Sequence, residues 1–543
     1  MSASKQFLPG TSRNDGDQVL PTTTRHSGHV DEIQDDEKPR QGPDGPVLDK
    51  VKCLDGLRGI ACLIVFNYHY LWPWTPLIFL PYGARPPWSP EAYDKHYHQL
   101  PIIRLLYSGR PMVAIFFTIS GYVLCRHIIR SIHQRKLEAA FRSLGSAVLR
   151  RAFRLYIPVT ISMLLVAILA QLGAFKSEKA VYQGPDSIYI NGTMGPYGLA
   201  RFFKNSTISA YLPAGPGGLT SSKGFLYSNG SIALNGTLHG LNGTAKGNET
   251  WVRFGGMWEE HPYIHPNVTY AITNFTRVYA DWANPFTFNP QHPRMDPHAY
   301  TIPMELRGSM ILYLFLLGTA AVKMGWRLSA GAFIAFYCMR MGRWEVFDFI
   351  GGMLLSEVHV ACSFGRPIFT TFSFGSLRFW SSRRGRLLHR SLIVVALYLM
   401  SYPDNHGKYT PGFKTLAWLS PPVYTEPERW RFWQSLGAIT LLPCILRSDR
   451  LRALLEMRIP QYLGKISFSL YLVHGPILHS LGFWILPRLF DKFGMERGLL
   501  LGYPLLLSTS LYLAELWYRR IDSWSIGIGK RVERAVLDDT YKQ

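Results

Sequence analysis

The stretch LYIPVTISMLLVAILAQLG at residues 155–173 decides the fold class, because it runs for nineteen residues without a charged side chain. A bilayer hydrocarbon core about 30 Å thick requires about 20 predominantly apolar residues in a helix. In lipid, a helix also satisfies its own backbone polar groups. The stretch therefore predicts a transmembrane helix.

Further apolar runs lie on both sides of this stretch. The clearest cover residues 60–80, 111–129, 303–322, 344–362, 466–486 and 498–518, and shorter or more polar runs cover 327–338, 390–402 and 432–446. At the shorter lengths a re-entrant or buried segment competes with a full span. Together the runs predict an all-α integral membrane protein, a bundle of about ten transmembrane helices.

The composition agrees with a membrane protein, since 47% of the residues are hydrophobic and only 17% are charged. A formal net charge of +22 would suit a nucleic-acid partner, but the sequence has no zinc-finger spacing and no RNA-binding signature. The six cysteines are scattered, without a CxxC pair, so we expect neither a disulfide framework nor a metal site. The expected partner is a lipid bilayer, and no nucleic acid.

The chain divides into two tails and a membrane domain. Residues 1–50 are polar and lack apolar periodicity, which predicts a disordered tail. Residues 51–535 form the predicted transmembrane domain, and 536–543 a short second tail. Within the domain, residues 174–300 are a long loop that contains every N-x-[ST] sequon of the chain. The acceptor residues are Asn191, Asn205, Asn229, Asn235, Asn242, Asn248, Asn267 and Asn274.

These sequons set the predicted orientation. Glycosylation sequons confined to one loop predict that this loop faces the secretory lumen. Three spans precede this loop, so the N-terminus is predicted to lie on the opposite, cytosolic side. Because ten spans are an even number, the C-terminus is predicted to lie on the same side as the N-terminus. The loops then assigned to the cytosol are strongly basic, as the positive-inside rule requires. We expect a multi-pass protein of the endoplasmic reticulum or another secretory-pathway membrane.

The polar residues of the first span are the first candidates for chemistry. The segment Leu54-Asp55-Gly56-Leu57-Arg58-Gly59 lies at its predicted cytosolic mouth, and His69 follows. On a helix, His69 lies about 16 Å deeper than Arg58. Ionisable groups in the membrane usually belong to a transport pathway or a reaction. The alternative is a histidine that is simply hydrogen-bonded within the bundle.

Four segments, in the right order, resemble the membrane acyltransferase family 3, whose members O-acylate sugars, lipids and natural products. They are Leu54 to His69, the run Phe116-Phe117-Thr118-Ile119-Ser120-Gly121-Tyr122, the run Thr301-Ile302-Pro303-Met304-Glu305, and Ile466 to His474. The ending Glu515-Leu516-Trp517-Tyr518 is similar to fungal members in particular. The resemblance covers most of residues 51–535. Tyr300 and Phe468 depart from the usual pattern but keep an aromatic ring.

The resemblance implies a role for each candidate residue. His69 becomes the general base, and Glu305 the group that orients His69 or holds the acceptor. The run of Arg150, Arg151 and Arg154 is implicated in binding the acyl donor. Arg58 is a further donor contact, and Asp55, Tyr471 and His474 are supporting residues. Guanidinium groups suit phosphates, and imidazole titrates near neutral pH.

Each of these roles has a simpler alternative. Glu305 would otherwise form an ion pair with Arg307 or with another span. The arginine run would be ordinary positive-inside charge, and Arg58 with Asp55 a structural pair.

The expected function is transfer of an acetyl or other short acyl group from acyl-CoA to a hydroxyl. The expected acceptor is a hydroxylated small molecule, with a secondary metabolite such as a terpenoid or polyketide favoured over a glycan or lipid. We expect acyl-CoA as a cosubstrate and no bound cofactor. A secondary transporter is the competing hypothesis, since intramembrane ionisable groups also line substrate paths.

Overall fold

The computed structural model describes residues 51–74, 78, 81–86, 96–175, 225–228, 231–234, 262, 265, 267–288, 292–293, 295–365, 382–426 and 428–537. The predictions for the tail at 1–50, for residues 538–543 and for six of the sequons therefore lie outside the described residues. Those sequons are Asn191, Asn205, Asn229, Asn235, Asn242 and Asn248.

The described chain is helical apart from one short pair of strands. Its helices are α1 Lys52–Leu71, α2 Gly109–His133, α3 Leu137–Gln171, α4 Val268–Ala283, α5 Thr301–Thr319, α6 Met324–Arg340, α7 Trp344–Ser363 and α8 Arg383–Met400. They continue with α9 Lys414–Leu419, α10 Trp430–Arg447, α11 Asp449–Leu455, α12 Arg458–Ile477, α13 Phe483–Phe493, α14 Met495–Trp517 and α15 Ser523–Val536. The predicted all-α fold class is confirmed, apart from the one pair of strands.

The protein is a multi-pass membrane protein. Five segments are long and apolar enough to cross a membrane: α2, α3, α7, α12 with α13, and α14 with α15. Nine of the ten predicted spans overlap one α-helix each, in the order α1, α2, α3, α5, α6, α7, α8, α10 and α14, and the span predicted at 466–486 overlaps both α12 and α13. The number of ten spans stays a prediction, because the other five helices are shorter or more polar.

Helix α1 differs from the predicted span at 60–80. It begins at Lys52, so that Asp55 and Arg58 lie inside the helix and pair at 3.4 Å across one turn. It ends at Leu71, just before Pro73, whose ring nitrogen has no hydrogen to continue the helical bonding. His69 consequently lies in the last turn of α1.

Glycines let the central helices approach closely. A Cβ added at Gly59 of α1 would overlap the backbone of Gly464 in α12, and one added at Gly121 of α2 would overlap Phe349 of α7. Small residues allow such approach of membrane helices, which are stabilised mainly by close packing. The α1–α12 contact brings the end of α1 beside the second half of α12.

Buried ion pairs connect the helices around this centre. The Arg307 guanidinium of α5 lies 2.9 Å from the Glu345 carboxylate of α7. Further along α7, Glu357 accepts from Arg327 at 2.6 Å and contacts His133 at 2.8 Å. These side chains are almost fully buried. Because a buried charge is costly without a partner, each pair fixes the register of its helices.

The described parts of the long loop contain a strand pair and a helix. The strands β1 Phe225–Ser228 and β2 Ser231–Leu234 are antiparallel, with Phe225 opposite Leu234. They are an exception to the predicted all-α fold. The helix α4 packs on α3, where Tyr156 donates to the Ala283 carbonyl at 2.8 Å.

The end of α3 is joined directly to His265, which lies shortly before α4 in the chain. The Gln171 side-chain amide donates to the His265 carbonyl at 3.0 Å and accepts from the His265 backbone N–H at 3.1 Å. We call this pair of hydrogen bonds the amide clamp. It satisfies the backbone of His265 as a neighbouring strand would.

Candidate active site

Three histidines from different parts of the chain meet at one point. His69 comes from the last turn of α1, His474 from α12, and His298 from a short 3₁₀ turn at Pro297–Tyr300 that leads into α5. His298 Nε2 lies 2.9 Å from His69 Nδ1. The ring of His474 lies 5.3 Å from that of His69 and 4.8 Å from that of His298. We call His69, His298 and His474 the histidine cluster.

The turn that carries His298 is held from two sides. Tyr471 of α12 donates to the His298 carbonyl oxygen, and its hydroxyl also lies 2.7 Å from the Thr301 hydroxyl. From α4, the Trp282 indole donates to the Ala299 carbonyl at 2.9 Å. Tyr471 therefore holds the turn through its backbone, and its supporting role in the reaction stays a prediction.

The far nitrogens of the two buried rings also have partners. His298 Nδ1 lies 3.4 Å from Asp296 Oδ1. His474 Nδ1 lies 3.0 Å from the Leu470 carbonyl one turn earlier, and an oxygen of that kind only accepts. His474 Nε2 is therefore a bare acceptor, buried and without a hydrogen-bond partner in the described part of the chain.

The members of the cluster differ in their exposure. His298 and His474 are 5% and 1% exposed, whereas His69 is only partly buried. His69 is thus the most accessible ring of the cluster. A histidine of this kind, supported by a second ring, has the geometry of a general base.

The cluster also has the geometry to bind a metal ion. One nitrogen of each ring lies within 4.8 Å of the others, and histidine is the commonest metal ligand in proteins. The expectation of no metal site stays a prediction.

Glu305 contacts an arginine rather than the histidine cluster. Its carboxylate accepts from Arg151 of α3 at 2.5 Å and from the Ser120 hydroxyl of α2 at 3.2 Å. Arg151 also donates to the Ser309 hydroxyl at 3.1 Å. Arg307, the alternative partner considered from the sequence, pairs with Glu345 instead. The pair of Arg151 and Glu305 therefore joins α3 to α5 near α2.

Two of the other candidate arginines lie close to this pair. Arg58, paired with Asp55, lies near enough to Arg151, Arg154 and Glu305 to interact electrostatically with all three. The Arg154 side chain is exposed. Three of the four predicted donor arginines thus share one charged region with Glu305.

Arg150 points elsewhere, although it is the immediate neighbour of Arg151. Its guanidinium lies 3.3 Å from the Glu533 carboxylate of α15. It lines a cavity of about 610 Å³ between α2, α3 and α15. Four of the lining residues are cationic: Arg142, Arg150, Lys530 and Arg534. We call this space the basic cavity.

Neither His298 nor Asp296 was among the site residues predicted from the sequence. A signal was present, because the segment Asp296-Pro297-His298 directly precedes the Thr301-Ile302-Pro303 run that opens α5. A proline that starts a helical turn and ionisable residues beside it are typical of a helix entrance with a function. The sequence alone does not show that the fold brings this turn to the end of α1.

Comparison with known proteins gives a family match and several relatives. Residues 51–516 match the family model described as "Acyltransferase domain". The chain is 26% identical over 503 residues to the O-acetyltransferase PaAT-1 of Phomopsis amygdali, which covers 90% of this chain and 86% of that protein. It is 25% identical over 503 residues to the acyltransferase clz18 of Cochliobolus lunatus, covering 87% and 93% respectively. No solved structure matches the chain significantly.

Proposed function

The chain belongs to the acyltransferase family whose model matches residues 51–516, and from this membership we propose that it moves an acyl group from acyl-CoA to a hydroxyl of a small molecule. Membership also decides against the transporter hypothesis, since the family and the named relatives are transferases. The roles of individual residues belong to this proposal.

The observation that carries the proposal is the exposed edge of the histidine cluster. His69 is its partly exposed ring and contacts His298 at 2.9 Å. In the proposed reaction, His69 takes the proton of the acceptor hydroxyl while the oxygen attacks the thioester carbonyl carbon. The new C–O bond forms, the C–S bond breaks, and the proton passes to the coenzyme A thiolate.

We assign the phosphates of the donor to the basic cavity. Its four cations outnumber the one acid, Glu533, and its apolar lining includes Leu124, Ile128 and Leu537. Fork-shaped guanidiniums bind phosphate oxygens in pairs. The assignment supports a division between the two neighbouring arginines. Arg150 would bind the donor, whereas Arg151 would hold Glu305 in place for the acceptor or the reacting groups.

One relative and the sequence itself support the finer parts of the proposal. PaAT-1 is named an O-acetyltransferase, which favours acetyl-CoA as the donor. A hydroxylated secondary metabolite is our proposed acceptor, with a glycan or lipid as the alternative. Eight sequons in one loop and the basic loops on the other side support residence in the endoplasmic reticulum or a later secretory membrane, with both termini cytosolic.

The first experiment compares metabolites by mass spectrometry in the source organism with intact protein, a deletion, or His69→Ala. We expect both altered strains to lose one acylated compound and to accumulate its hydroxyl precursor. The matched control is His389→Ala, a histidine of α8 that contacts the Cys444 carbonyl. An active His69→Ala strain would contradict the role of His69, and unchanged acylation in the deletion would contradict the proposed function.

A second experiment separates the two arginines. Release of coenzyme A from acetyl-CoA is measured with the purified protein and the acceptor found above. Arg150→Ala is expected to raise the KM for acetyl-CoA with little change in kcat, and Arg151→Ala to lower kcat. Arg452→Ala, which removes a half-exposed arginine paired with Asp449, is the control. Equal KM values for the wild type and Arg150→Ala would contradict the donor assignment.

A further inference from the structure

We propose that Asp296 and His298 act as positioning residues that fix the tautomer of His69, so that the far nitrogen of His69 is the one that takes the substrate proton. The inference rests on the proposed role of His69 as the base. It concerns the order Asp296, His298 and His69, three groups in line at the entrance of α5 and the end of α1.

The line of Asp296, His298 and His69, which we call the relay, begins at the Asp296 carboxylate. Asp296 is 1% exposed, and both of its oxygens are buried without a hydrogen-bond partner among the residues that the structure describes. Among the described residues its ion-pair partner is His298, with Nδ1 at 3.4 Å. A buried carboxylate strongly favours a donor. The proton of neutral His298 is therefore stabilised on Nδ1, facing Asp296.

This arrangement determines the next hydrogen bond. With its proton on Nδ1, His298 presents a bare Nε2, which can only accept. That nitrogen lies 2.9 Å from His69 Nδ1, so His69 must donate from Nδ1. The lone pair of His69 is then left on Nε2. Because His69 is the partly exposed ring, this lone pair is available to an acceptor hydroxyl.

The third ring of the cluster cannot replace Asp296. His474 Nδ1 donates to the Leu470 carbonyl at 3.0 Å, so its Nε2 is an acceptor and supplies no proton to either neighbour. When His69 Nε2 takes the substrate proton, the resulting positive charge lies next to His298 and two groups from the Asp296 carboxylate. The same line of residues thus selects the tautomer and stabilises the protonated ring.

The decisive change is Asp296→Asn. An asparagine of the same shape can turn its NH₂ towards His298 Nδ1, which moves the His298 proton to Nε2 and reverses both hydrogen bonds. His69 Nε2 then carries a proton and no longer accepts one. We expect the ratio of acylated product to hydroxyl precursor in complemented deletion cells to fall by about 10²-fold, the lower range for loss of a general base.

A double-mutant cycle separates this relay from a structural role. The side-chain oxygen of His298→Gln accepts from His69 Nδ1 as the ring nitrogen does, and its amide rotates freely whatever residue stands at position 296. We expect His298→Gln to retain more activity than His298→Ala. In the His298→Gln background, Asp296→Asn should have almost no further effect. Residues that act independently would instead give additive losses.

Three results would overturn the inference. The first is an Asp296→Asn protein, present at normal level, with wild-type activity while His69→Ala is inactive; this leaves the proposed function intact. The second is an additive cycle. The third is stoichiometric zinc in the purified wild type that is lost in His298→Ala, because His69 Nδ1 would then be a metal ligand. An active His69→Ala protein would instead refute the proposed role of His69 as the base, and unchanged acylation in the deletion would refute the proposed function itself.

Discussion

The contact between α2 and α7 predicts a large loss of stability from one methyl group. In Gly121→Ala the new Cβ would stand 2.1 Å from the Phe349 carbonyl oxygen, and in Gly352→Ala it would stand 2.1 Å from the Thr118 carbonyl oxygen. At both glycines, therefore, no side chain separates the backbones of α2 and α7. Both obstacles are backbone atoms, which cannot rotate away.

The size of the effect follows from the distances. To restore van der Waals contact, the helices must separate by about 1 Å, which loosens the packing on both sides of the crossing. Overpacking of a core costs about 1–3 kcal/mol and occasionally more. A rigid backbone obstacle favours the upper end, so we expect a loss of about 3 kcal/mol for Gly121→Ala. The two single changes should not add in the double variant, because the first has already separated the helices.

The assay is thermal unfolding of the detergent-solubilised protein, followed by tryptophan fluorescence. Gly318→Ala in α5 is the matched control, since its Cβ would meet nothing within 4 Å. There alanine should leave stability unchanged or raise it by about 0.5–1 kcal/mol through its better helix propensity. If Gly121→Ala melts at the same temperature as Gly318→Ala, the close crossing of α2 and α7 is wrong.

Three further predictions concern other parts of the molecule. Glu357→Gln should destabilise the protein by about 3–5 kcal/mol, because it leaves the buried Arg327 charge without its carboxylate. The control is Asp449→Asn, which breaks an exposed pair with Arg452 and should leave the melting temperature almost unchanged. Asn267→Asp should remove one glycan, detected by glycosidase treatment, without lowering stability, since the aspartate still accepts from the Tyr270 N–H. Asn267→Ala should remove the same glycan and also lower the stability by about 1 kcal/mol. An identical gel mobility of the wild type with and without glycosidase would contradict the predicted lumenal position of the loop. Burial, with the nearby Lys408 charge, lowers the pKa of His406 from 6.5 to about 4. The unfolded chain takes up this proton first, so the contribution to stability is complete above pH 6.5 and is lost as the pH falls towards 4. His406→Asn, a residue suited to the left-handed φ of 60°, should therefore lose less stability than the wild type between pH 7.5 and 5; equal losses would contradict the assignment.

The helices were largely predictable, because a membrane span is a local property of sequence. An apolar run of sufficient length identifies a span without knowledge of its neighbours, and each run overlaps a helix of the described chain. The start of α1 was predicted eight residues late, since Asp55 and Arg58 interrupt the hydropathy. Their mutual pairing, which allows them inside the helix, depends on the structure formed.

The site was predictable only in part, because its members meet through long-range packing. His69 and His474 stand out as histidines in apolar helices, but His298 lies in the short turn that precedes α5. Arg150 and Arg151 looked equivalent in the sequence. Adjacent residues of a helix point about 100° apart, so one faces α15 and the other α5. Which helix lies in each direction is decided by the assembled bundle.

The amide clamp makes the chain between Gln171 and His265 a natural place for insertion. Since the clamp already joins these two residues, the frame of α3 and α4 does not depend on the length of chain between them. Each doubling of a flexible connection adds only about 0.6 kcal/mol of closure entropy. A fluorescent reporter or an affinity epitope inserted there could therefore report on the folded enzyme in its own membrane while the histidine cluster keeps its geometry.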